Sequence, residues 1–104
     1  MKKYTLLVDG FQRYNRDDLS EYELINSFKE AIKRAIYDEK EKSNFSYRLE
    51  HYLNKIENVK SIKDLPNILA IKDNLMLSVS DAEDSYKMLW VEYNSGSTKI
   101  LKYK

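Results

Sequence analysis

The hydrophobic pattern of this chain changes its period once, and that change limits the folds open to it. From Ser20 to Asn58 apolar residues recur every three or four positions, whereas from Asn67 onward they alternate or run in short blocks. A period near 3.6 lines one stripe of a helix, and a period of two lines one face of a strand. Helices and later strands kept in separate stretches define an α+β domain, not an alternating α/β one.

The helical stretch carries its own start signals. Ser20 with Glu23 forms a capping box, in which each side chain can satisfy the other residue's free backbone N–H. Leu24, Ile25, Phe28, Ala31, Ile32, Ala35 and Ile36 then share a face, while Lys29, Glu30, Lys33 and Arg34 lie opposite. The spacing predicts a helix from residue 20 to about residue 41. Ser43-Asn44 can cap a second helix, whose face is Phe45, Leu49, Tyr52, Leu53 and Ile56, ending near Asn58.

Strand signals flank the helices. Tyr4 to Val8 reads as a strand, Asp9-Gly10 as a tight turn, and Phe11 to Tyr14 as a short return or simply loop. Beyond Pro66, Ile68–Ile71 and Leu75–Val79 flank a turn at Lys72-Asp73-Asn74. Ser80 to Ser85 reads as an acidic loop, Met88–Tyr93 as the next strand, Asn94–Ser97 as a turn, and Thr98–Tyr103 as the last strand. The expected architecture is one domain, 1–104: an N-terminal strand, two helices, then a C-terminal four-stranded antiparallel meander packed against the helices.

Composition narrows the function. A chain of 104 residues supports one core. It contains no cysteine, which removes disulfides and thiolate metal sites and suits a reducing, cytoplasmic setting. No apolar run approaches the roughly 18 residues that span a bilayer. The 18 basic and 17 acidic residues leave a net charge of +1. DNA-binding domains usually carry a clear basic excess, and a whole-surface DNA mimic a strong acidic one. Any electrostatic role is therefore local. Tyrosine occurs nine times, a bias that suits interfaces as well as half-buried strands.

The residues offer no catalytic set. His51 is the lone histidine, and no carboxylate stands near it at a ligand-like spacing. The only glycines, Gly10 and Gly96, cannot build a phosphate loop or a serine elbow. Asp9, in Leu7-Val8-Asp9-Gly10-Phe11, resembles the strand-end aspartate of PIN-like and NYN-like nucleases, which hold metal ions with several such carboxylates. A hairpin turn explains it more economically. Asp17-Asp18 with Glu21 and Glu23 suits the positive end of the first helix dipole. The expectation is a non-enzyme without metal or cofactor.

Two surfaces are candidates for binding. Asp81, Glu83 and Asp84, with Tyr86 and Trp90 as apolar anchors, would form a partner-binding loop. Lys99, Lys102 and Tyr103 on the last strand, beside Lys2, Lys3 and Tyr4, would suit single-stranded nucleic acid if the two strands adjoin. Lysines that merely guard a sheet edge explain the second surface more simply.

Residues 73–93, with Asp73-Asn74-Leu75-Met76-Leu77-Ser78-Val79-Ser80-Asp81-Ala82, then Tyr86-Lys87 and the Trp90 strand, resemble the carboxy-terminal hairpins of the phage uracil-DNA glycosylase inhibitor family. The resemblance implies two helices with an antiparallel sheet, and a protein that blocks an enzyme acting on nucleic acid. Met76 matches a pocket methionine of that family. Ser78 stands where the family has leucine, and this chain lacks the family's strong acidity. The functional expectation is a small phage- or plasmid-type inhibitor of anti-restriction, anti-CRISPR or glycosylase-inhibitor kind, with a nucleic-acid-binding module as the alternative. A symmetric homodimer stays open.

Overall fold

The computed structural model describes residues 4–10, 14–38, 43–72, 75–81, 87–93 and 96–102, with side chains in 19–37, 43–72, 75–81 and 87–92. The capping box forms: Glu23 N–H donates to Ser20 Oγ at 3.2 Å, and Ser20 N–H to Glu23 Oε1 at 3.4 Å. It opens α1, Glu21–Asp38. Leu24, Ile25, Phe28, Ile32 and Ala35 are its buried stripe. Residues 39–41, expected to extend this helix, lie outside the described residues.

Helix α2, Asn44–Lys55, starts from Ser43, whose reciprocal partner is Ser46. Ser46 N–H donates to Ser43 Oγ at 3.4 Å, and Ser43 N–H to Ser46 Oγ at 2.9 Å. Ser46 is buried, and these bonds satisfy a hydroxyl that would otherwise be costly there. Ile56 closes the helix with a non-helical ψ of 8°, short of the expected Asn58, and is itself buried.

Among the described residues six strands form one antiparallel sheet: β1 Tyr4–Gly10, β2 Tyr14–Leu19, β3 Ile68–Lys72, β4 Leu75–Asp81, β5 Lys87–Tyr93 and β6 Gly96–Lys102, in the order β2-β1-β6-β5-β4-β3. This corrects the expected lone N-terminal strand with a separate four-stranded meander. β1 pairs with β6 from Tyr4↔Lys102 to Gly10↔Gly96, so the N-terminal hairpin continues the C-terminal sheet. Among the described residues, the C-terminal strands whose side chains enter the core are three, β3, β4 and β5, not four, and Leu19 at the end of β2 joins them. The ends of β1 and β6 are far apart in sequence, and a reading by local period joins each strand only to its chain neighbour.

Two boundary corrections have the same origin. Asp9 and Gly10, read as a turn, are strand residues opposite Ser97 and Gly96. Asp17 and Asp18, read as a helix start, belong to β2, which runs from Tyr14, where the expected return strand ended. Polar composition hides β2, but its ladder to β1 (Leu6↔Arg16, Leu7↔Asn15, Val8↔Tyr14) holds it extended.

The core is one cluster between the helix pair and one sheet face. Ile68, Val79 and Leu89 form one transverse row, and Ala70, Leu77 and Val91 the next; all six are buried with the helix stripes. α1 lies against β1 and β5, and α2 against β3. Phe28 and Tyr52 meet edge to face at 6.4 Å between the two helices. Tyr52 also donates its hydroxyl proton to the Pro66 carbonyl at 2.6 Å, tying α2 to the approach to β3. Glu21 Oε1 accepts the N–H of Ile62 at 2.6 Å, pinning the short 3-10 turn Ile62–Asp64 to the start of α1.

Burial pushes the Tyr52 phenol well above its ordinary value. A raised folded-state pKa gives stability that is full below the unfolded value, about 10, and lost as pH rises above it. Urea titrations should therefore show falling stability above about pH 10 that is partly absent in Tyr52→Phe. At neutral pH Tyr52→Phe should cost about 1–2 kcal/mol, the unmet Pro66 carbonyl included. Leu77→Ala should cost more, about 2–5 kcal/mol, because it opens a cavity in the middle of the core.

Candidate partner-binding face

Residues 68–71 and 75–77 are apolar without interruption, and Met88-Leu89-Trp90-Val91 repeats the pattern. Strands that read this way usually have cover on both faces. In this fold the described helices cover one. On the opposite face Leu69 and Ile71 are 52% and 66% exposed, and Met76, Met88 and Trp90 are half-buried. Register brings them together: Ile71 lies opposite Met76, Leu69 opposite Ser78, and Ser78 in turn opposite Trp90. Trp90 Nε1 donates to Glu92 Oε2 at 3.1 Å, an i,i+2 contact along one face of β5 that orients the indole.

A polar group ends the helix-facing rows of β4 and β5, since Asp81 follows Val79 and Lys87 precedes Leu89 by two positions. β4 continues through Ser80 and Asp81, which pair with Met88 and Lys87, so the expected acidic loop is shorter than read. Lys87 Nζ lies 3.5 Å from Asp81 Oδ1 and donates to Asn67 Oδ1 at 2.7 Å. Asn67 Nδ2 donates to Asp81 Oδ2 at 3.4 Å, closing a triangle. This triangle helps hold an aspartate of low strand propensity in the ladder. The Lys87 side chain is 14% exposed and that of Asp81 74%, so the carboxylate faces solvent while locally compensated.

Of the sequence-predicted partner residues, Asp81 and Trp90 lie on β4 and β5; Glu83, Asp84 and Tyr86 fall outside the described residues. Lys99 lies opposite Leu7 on one side and Trp90 on the other, and Lys102 opposite Tyr4. Their side chains and Tyr103 fall outside the described residues. β1 and β6 do adjoin, but β6 is an interior strand, which corrects its reading as a lysine-guarded edge. Three of the tyrosines, Tyr22, Tyr37 and Tyr47, are exposed on the helices. Leu69 and Ile71 were missed as site residues; the unbroken apolar run across β3 was the signal for them.

His51 is exposed on α2. Among the described residues no group of three histidine, cysteine, aspartate or glutamate side chains can hold a metal ion. No described helix is long and apolar enough to cross a membrane. Comparison with protein-family models, with curated proteins and with solved structures finds no match to this chain.

Because the Asp81–Lys87 pair is largely solvated on the carboxylate side, Asp81→Ala should change stability by less than about 1 kcal/mol. Thermal melts of that variant check this and establish it as a clean surface probe.

Proposed function

We propose that this chain is a non-catalytic binding protein that holds a protein partner on the outward face of β3, β4 and β5. One observation carries the reading: β3 is apolar on both faces, and its outward Leu69 and Ile71 share a face with Met76 of β4 and with Met88 and Trp90 of β5, while the described helices cover the other face. Exposed aliphatic side chains around a half-buried tryptophan have the make-up of an interface centre, where aromatic anchors dominate the energy. Asp81 ends β4, and Glu83 and Asp84 follow it in the chain.

The partner class is an enzyme that acts on nucleic acid, blocked in the manner of phage or plasmid inhibitors of anti-restriction, anti-CRISPR or glycosylase-inhibitor type. Support for that class is the resemblance of residues 73–93 to inhibitor hairpins, the absence of a catalytic set in the sequence and the local acidic run. The near-neutral charge of +1 favours an apolar contact with an acidic border over wholesale imitation of DNA.

The test is capture from bacterial lysate by the tagged chain, with and without nuclease treatment. A nucleic-acid enzyme retained after nuclease treatment is expected. Trp90→Ala should weaken its binding by about 30-fold or more, the scale of an interface anchor. Reversing charge at Asp81, Glu83 and Asp84 together should weaken it as well. Recovery of nucleic acid alone, lost on digestion and on replacing Lys99 and Lys102, would move the function to the β1–β6 strands.

A further inference from the structure

The two edges of the sheet are built differently. At one end β2 carries Arg16, Asp17 and Asp18 within six residues, and its pairing with β1 shifts register between Tyr4 and Leu6. Charges and irregularities of this kind keep an edge from pairing with another strand. At the other end stands β3, Ile-Leu-Ala-Ile-Lys, with regular one-to-one pairing to β4 from Ile68 to Lys72. Among the described residues, no backbone hydrogen bond from outside the sheet reaches 68–71. An extended edge of this composition is a template for another strand.

From this contrast we infer that β3 pairs with β3 of a second copy, antiparallel about a two-fold axis at Ala70. The strand is self-complementary about that residue. Leu69 then faces Ile71 of the second copy, apolar on apolar, on the outward side. Ile68 faces Lys72, and the two Lys72 residues stand at opposite ends of the ladder, so no like charges meet. A two-fold contact demands that one patch match itself, and this register does so in either phase of the hydrogen-bond ladder. The pairing joins two six-stranded sheets edge to edge and makes the outward apolar patch continuous across both copies. This dimer is independent of the target class proposed above.

The lack of cysteine permits a register-specific test. Leu69→Cys and Ile71→Cys change exposed positions, so circular dichroism should match the unsubstituted chain. Directly opposed residues have Cα atoms about 4.5–5.5 Å apart, within reach of a disulfide. Under mild oxidation a mixture of the two variants should yield a linked dimer far more efficiently than either alone. Light scattering on the unsubstituted chain should give twice the monomer mass in the micromolar range, and Ile71→Lys should give a monomer with an unchanged spectrum. A monomer at every concentration overturns the inference, as does linking without preference for the mixture. If the chain is monomeric yet Ile71→Lys abolishes capture of the enzyme, the second copy is ruled out while the proposed binding on the outward face stands.

Discussion

Burial of the helix pair on a single face of the antiparallel sheet is the constraint on which the rest of this structure depends. Phe28, Ile32, Leu49 and Ile56 from the helical segment meet Leu77, Val79, Leu89 and Val91 from the strands in one cluster, all nearly or wholly removed from water. Each such side chain contributes about 1.5–3 kcal/mol by leaving water, which makes this layer the dominant favourable term. Among the described residues one pair of helices covers that layer, and the opposite face, with Leu69, Ile71, Met76 and Trp90, has no described helix over it. Stability and the proposed binding face are two outcomes of one arrangement.

Polar contacts then fix how the layer is entered and left. Glu21 holds the Ile62 turn, and Tyr52 holds the Pro66 carbonyl, so both ends of the connection into β3 are tied to the helices. Leu65, between them, is fully buried. These two bonds set where β3 begins. They thereby place Leu69 and Ile71 at the edge of the sheet, beside Met76, in the outward row.

Local features were legible in the sequence. The Ser20–Glu23 box, the helical stripes and the β3–β4 and β4–β5 pairings all arise from neighbours within a few residues or one turn. Pairing of β1 with β6 was not, because it depends on which free edge the N-terminal hairpin meets after the rest has folded. Asp9-Gly10 shows the cost: its turn preference is real, yet a ladder with Ser97 and Gly96 overrides it. For the candidate site, Trp90 and Asp81 could be found by type and spacing. Leu69 and Ile71 looked like core, since strand period alone cannot tell which apolar face a helix will cover.

Oxidative footprinting of Met76, Met88 and Trp90, in the free chain and in its complex with the captured enzyme, addresses the outward face itself. Protection of all three on binding, with exposed Tyr22 and Tyr37 on the helices unchanged, would place the partner on β3–β5. Unchanged oxidation of the three, with protection of the helix tyrosines instead, would contradict a partner on that face.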